Sequence, residues 1–185
     1  MYIQVLTIVH VAISLVAIFA GFVVMFGMMG GNALDGWSKL FFWMTLLTSV
    51  TGFFFPISKV TPGIVIGVLS LIVLAFAWLA RYSNGLAGGW RKTWVYTAIL
   101  AQYLNFFVLV VQSFEKAPPL RALAPTQSEP PFAITQGIVL VIFIVLTIKA
   151  VKGFSAAKAE DKRRRQGRYQ RPALSRNARA RLNSR

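Results

Sequence analysis

The chain has 185 residues, 56% of them hydrophobic, and a mean hydropathy of +0.62. Soluble domains hold about 45–50% apolar residues, so an ordinary water-soluble globule is excluded. There is no cysteine, which excludes disulfides, thiolate metal sites and cysteine nucleophiles. The net charge of +15 is lopsided: residues 149–185 hold 13 Lys and Arg against 2 acids, or +11, and leave +4 for the rest.

Five apolar segments each approach the ~20 residues needed to cross about 30 Å of hydrocarbon as helix. The first covers 3–27. It lacks a basic leader and exceeds the length of a signal-peptide core, so it is expected to remain as a span. Thr7, His10, Ser14, Ala17 and Gly21 share one face of it, with Gln4 beside them. His10 is the single histidine, so it supplies neither bis-His haem ligation nor a multi-histidine metal site. The plain reading is a neutral imidazole hydrogen-bonded inside the bundle. The sharper alternatives are a proton-linked or ligand-binding role, because intramembrane ionisable groups are functional candidates by default.

The second span is placed at 39–57, with a stripe of Thr45, Thr48, Ser49, Gly52 and Pro56. Pro56 ends or kinks it and Pro62 opens the third, which predicts a tight outside turn at 58–62. The third span, 63–81, carries Gly63, Gly67, Ser70, Ala77 and Arg81 on one face. Its Gly63–Gly67 spacing matches GxxxG, a pattern that chance also produces. Arg81, at the helix end, is expected to snorkel to the interface. The fourth, 94–114, aligns Ala98, Ala101, Gln102, Asn105 and Gln112; the fifth, 133–151, offers only Gln136 and Thr147.

Small and polar stripes have a physical reason in lipid. Apolar side chains gain nothing by leaving it, so helices associate through close approach and interhelical hydrogen bonds. Counting inward at 1.5 Å per residue puts His10, Ser49, Ser70 and Asn105 each about 10–14 Å below the outer surface, with Gln102 about one turn deeper. These five residues form a candidate intramembrane polar site.

Between spans four and five, residues 115–132 gather five of the eight prolines. Such density predicts a stiff, extended connection rather than a helix. Pro125, Gln127, Glu129, Pro130 and Pro131 are read as an outer cap over the bundle mouth; a passive tether is the plain alternative. The tail, 153–185, is almost free of large apolar residues and is expected to be disordered. Its basic cluster favours anionic lipid, and nucleic acid ranks below that.

Basic residues mark the cytoplasmic side, so the tail places the C-terminus in the cytoplasm and five spans place the N-terminus outside. Trp37, Trp43, Trp78, Trp90 and Trp94 all fall near the inner interface on this reading. No GxSxG, HExxH, P-loop or Rossmann pattern occurs. No catalytic residue, metal site or cofactor is therefore assigned.

The stretches TSVTGFFFP, LNFFVLVVQSF and LAPTQSEPPF resemble segments of small, uncharacterised bacterial multi-pass inner-membrane proteins, over residues 3–151. The resemblance implies a bacterial cytoplasmic-membrane location and brings no activity with it. The expected fold is an all-α integral membrane protein: a five-span bundle at 1–152 and a basic tail at 153–185. The first functional expectation is a non-enzymatic accessory or scaffold subunit, with a membrane-protein partner or a second copy. The alternatives are a small-molecule binding or transport protein using the polar site, and a quinone- or haem-associated redox accessory.

Overall fold

A computed structural model describes the backbone of residues 1–56 and 62–183 and the side chains of 1–56 and 63–157. Among the described residues the chain is helix and turn, with no strand. The helices are α1 (Tyr2–Met29), α2 (Asp35–Gly52), α3 (Pro62–Trp78), α4 (Trp90–Lys116), α5 (Pro118–Leu123) and α6 (Pro130–Asn183). A π-helical turn, Leu79–Ser83, extends α3. The turn predicted at 58–62 lies outside the described residues apart from the backbone of Pro62, where α3 starts.

Among the described residues, four helical stretches are long and apolar enough to cross a membrane: Tyr2–Met29, Gly63–Ser83, Trp90–Lys116 and Pro130–Ala157. α2 is not among them. It has 18 residues and spends several on Asp35, Lys39 and a hydroxyl-rich face. It begins four residues before the predicted span because Asp35 is tolerated in a first turn beside water. It stops at Gly52, four residues before Pro56, whose missing N–H cannot continue a helix.

α1 ends in a Schellman turn. The Asn32 N–H donates to the Gly27 carbonyl at 2.8 Å and the Gly31 N–H to Met28 at 3.0 Å. Gly31 sits at φ +79°, a conformation that glycine adopts without strain. The turn folds α2 back along α1. His10 pairs with Thr51, Ser14 with Thr48, and Gly21 lies against Phe41, so the two helices are antiparallel over the length of α2. α3 returns antiparallel to α2: Gly67 lies against Phe53, Phe42 against Trp78 and Tyr82, and Asp35 against Arg81. α4 runs back beside α1, and α6 lies against both α1 and α4.

The core runs from Val24, Met25 and Met28 through Phe41 and Trp94 to Phe143 and Phe154. Outside it, Ile8, Phe19, Phe76, Ile138 and Val141 are exposed along with many other large apolar side chains. Monomers in water rarely expose apolar patches beyond a few hundred Å². Helices apolar on both faces are those expected in lipid.

Two expectations need correction. The proline-rich connection is not wholly extended, because Pro118–Leu123 is a short helix. Pro118 and Pro119 occupy its first turn, where no intrahelical N–H is needed. The tail, expected to be disordered, continues the backbone of α6 as helix to Asn183. Its Ala, Arg, Lys, Gln and Leu are strong helix formers, whereas Pro172 within the same stretch is the residue least suited to a helix interior. Packing also passes the predicted boundary: Phe154 is buried, and Gly31 lies against Ala157.

Candidate functional site

The polar residues singled out from the sequence form a ladder down the bundle. At the top, His10 Nδ1 lies 2.8 Å from Thr51 Oγ1. The Thr51 hydroxyl donates to the Leu47 carbonyl at 2.7 Å, so its free lone pair accepts from the imidazole. That assigns the His10 proton to Nδ1. The ring meets Phe55 edge-on with centroids 5.3 Å apart. One turn down α1, Ser14 donates to the His10 carbonyl and reaches Thr48 Oγ1 at 3.4 Å.

Ser49 is buried and donates to the Thr45 carbonyl of its own helix at 2.9 Å. Ser70 is buried on α3, and the α2–α3 register puts it level with Ser49. Deeper still, Asn105 Nδ2 donates to Thr45 Oγ1 at 3.0 Å, joining α4 to α2. Gln102 Nε2 donates to the Ile18 carbonyl at 2.8 Å, joining α4 to α1. Its Oε1 has no hydrogen-bond partner among the described residues and abuts Gly21. A Cβ at Gly21 would collide with that amide, so the glycine makes room for the glutamine. From His10 to Ile18 the ladder descends eight residues of α1, about 12 Å. Thr45–Asn105 and Gln102–Ile18 share one level, Ser49 and Ser70 lie about a turn above it, and His10 lies higher again. His10 itself is half-buried at the edge of the α1–α2 pair.

At the opposite end lies a cluster that sequence reasoning missed. Arg81 was expected to snorkel, yet its side chain is only 5% exposed. Its Nη2 donates to the Ala33 carbonyl at 3.1 Å and to Asp35 Oδ1, while its guanidinium lies 4.6 Å from the Trp94 ring centroid. Ala33 also accepts from Ser38 Oγ at 2.9 Å. Arg81 lies in the π-turn Leu79–Ser83 and keeps to the buried side of α3 that Ser70 and Ala77 also occupy. Among the described residues, Arg81 Nη1, Tyr82 Oη and Trp94 Nε1 have no hydrogen-bond partner. One signal was available: Asp35 is the sole acid before residue 115.

Below this cluster Arg91 Nε donates to the Phe154 carbonyl at 2.9 Å, with its guanidinium 3.6 Å from the Phe154 ring centroid. Gly153 lets the α6 backbone approach the Met29 carbonyl so closely that any Cβ there would clash.

The cap residues are tied locally. Glu129 accepts from the Thr126 N–H at 3.1 Å, the Thr126 hydroxyl at 2.9 Å and the Ser128 N–H at 3.1 Å. Desolvation pushes its carboxyl pKa up, but these bonds and one from its own backbone outweigh that and hold it below the usual range. Pro130 and Pro131 open α6, where their missing N–H groups cost nothing. Gln127 takes φ +60° and sends Nε2 to the Val111 carbonyl of α4 at 3.2 Å. Pro125, Thr126 and Gln127 join Phe114, Glu115, Lys116 and Arg121 around an open cleft of about 460 Å³. This cleft contains no rung of the ladder.

A second groove, about 420 Å³, lies between α2 and α3 and is lined by Phe42, Leu46, Leu71, Leu74, Ala75, Trp78 and Leu79. Among the described residues no cluster of His, Cys, Asp or Glu could hold a metal. No protein-family model matches the chain, and no curated protein or solved structure matches it.

Proposed function

We propose that the chain is a five-traverse protein of a bacterial cytoplasmic membrane that serves as a non-enzymatic accessory or scaffold subunit of a membrane complex. The observation that carries this reading is how the core polar groups are used. Asn105, Gln102 and His10 each bond from one helix to another, as does Gln136 to the Phe107 carbonyl at 3.2 Å. Polar side chains engaged in this way act as glue between helices. The resemblance to small inner-membrane proteins supports the location.

Parity supports the fifth traverse. α2 is antiparallel to α1 and to α3, so α1 and α3 run the same way. If both cross, the chain between them must cross back, and α2 is the segment that does it. Its 18 residues span about 27 Å, enough beside two longer helices. The basic tail then sets the N-terminus outside and the C-terminus in the cytoplasm, where the tail meets anionic lipid.

The absence of native cysteine allows a direct test of orientation. An impermeant thiol reagent on intact cells should label Ser128→Cys and not Ser175→Cys; the reverse pattern overturns the orientation. The role is tested by purification in mild detergent. A membrane protein recovered in fixed stoichiometry supports the subunit reading. A lone chain that instead retains a small molecule, released by His10→Ala or Asn105→Ala, overturns it in favour of binding or transport.

A further inference from the structure

We infer that the groove between α2 and α3 holds one anionic phospholipid, its acyl chain along the groove and its phosphate at Lys39. The inference rests on the membrane reading above and adds a defined site to it. The groove walls are large and apolar, with Phe42, Leu46 and Trp78 among them. Helix–helix contact in lipid prefers small residues that let backbones approach. Ala75 is the one small side chain on these walls, so a thin flexible chain suits the space better than a helix. Along α3 the groove runs from Leu71 to Leu79, eight residues or about 12 Å. That is close to one leaflet's share, about 15 Å, of a 30 Å hydrocarbon layer.

The Arg81 end of the groove has the chemistry of a headgroup. Trp43 and Trp78 meet edge-on with centroids 6.3 Å apart, and Tyr82 packs on Trp78 at 4.7 Å. Tryptophan and tyrosine gather at headgroup depth. Lys39 is exposed and precedes Trp43 by four residues, so both lie on one face of α2. Asp35, a turn earlier, is the acid that could neutralise Lys39. Its carboxylate is instead bonded to Arg81, and the exposed Lys39, three residues before Phe42 of the groove lining, is the cation that α2 offers toward the Arg81 end of the groove. A phosphate oxygen is its natural partner.

The test uses the full chain extracted from membranes in mild detergent. It is exchanged into equal phosphatidylglycerol and phosphatidylethanolamine and weighed intact by native mass spectrometry. The expected result is one tightly retained phosphatidylglycerol per chain. Ala75→Trp should fill the groove from its exposed side and abolish retention, and Ala75→Leu serves if the larger residue prevents folding. Lys39→Gln should keep the lipid but reduce the preference for phosphatidylglycerol about fivefold, the effect of one basic residue near a charged surface. Equal retention by wild type and the groove-filled variant overturns the inference, as does a dimer that Ala75→Trp dissociates. Either result leaves the membrane reading intact. Release of the wild-type chain from membranes by alkaline carbonate would remove that reading instead.

Discussion

At the Arg81 end of the bundle a buried cation is bonded to residues 46 and 48 positions away, in the α1–α2 turn and the start of α2. At the cap end the Glu129 carboxylate is bonded to groups no more than three positions away, in a segment that faces water. The first arrangement ties three elements together, because Trp94 of α4 also lies under the guanidinium. The second orders one turn and the start of α6. Removing the first charge should therefore disturb the tertiary fold, whereas removing the second should disturb only the loop.

The largest effect is expected at Arg81. Arg81→Ala loses two hydrogen bonds from a charged donor, each worth roughly 1.5–3 kcal/mol. The bond to Asp35 deserves a discount, since that side chain is 84% exposed and screened by water. A loss of about 3 kcal/mol remains, to be read from reversible unfolding in mild detergent. Arg81→Lys should recover only part of it, because an ammonium lacks the flat guanidinium face that lies against the Trp94 ring. If Asp35→Asn proves as damaging as Arg81→Ala, the exposed carboxylate matters more than the buried carbonyl, and the contrast between the two ends is wrong.

A middle-sized effect should come from the ladder, which is uncharged and of which Gln102 is as buried as Arg81. Asn105→Ala removes one interhelical hydrogen bond, worth about 0.6 kcal/mol in a membrane. Gly21→Ala should be worse in wild type, since its Cβ meets the Gln102 amide and the Phe41 ring. Overpacking of this kind costs about 1–3 kcal/mol. In a Gln102→Ala background most of that cost should vanish, giving a coupling of at least about 0.5 kcal/mol in a double-mutant cycle. Additive effects would mean that Gly21 and Gln102 do not share the space.

Sequence separation explains what could be read in advance. The all-helical fold followed from hydropathy and length, and α1, α4 and the membrane part of α6 lie within a few residues of the expected spans. Gln127 and Glu129 were visible because proline density marks a break in the helices and the bonds of Glu129 are local. The pairings Asn105–Thr45 and Gln102–Ile18 were half visible. Each residue stood on a stripe, but a stripe gives a face and not a partner. Arg81 was misread because its place at the helix end suggested a route to the interface, although the stripe it shares with Ser70 and Ala77 faces the bundle. The short helix Pro118–Leu123 was missed because proline density was weighed without regard to position: two prolines in a first turn permit a helix that one in its middle would break.

The smallest effect is expected at Glu129, and pH should reveal it. The folded carboxyl is held below its usual range by the Thr126 and Ser128 donors acting against partial desolvation. A depressed folded value means that the carboxylate stabilises the ordered turn above the unfolded pKa, and that this stabilisation fades as pH falls through the folded one. The turn should be intact at neutral pH and loosen below the ordinary carboxylate range, near 4.5. Hydrogen exchange at the Thr126 and Ser128 amides reads this directly: protection should fall with acid in wild type. Glu129→Gln should begin with low protection and change little over the same window. Neither acid nor this substitution should alter unfolding of the bundle, since Gln127 still bonds to Val111 and the two prolines still open α6. A drop in global stability on acidification that Glu129→Gln abolishes would show that the cap end supports the whole fold, as the Arg81 end does.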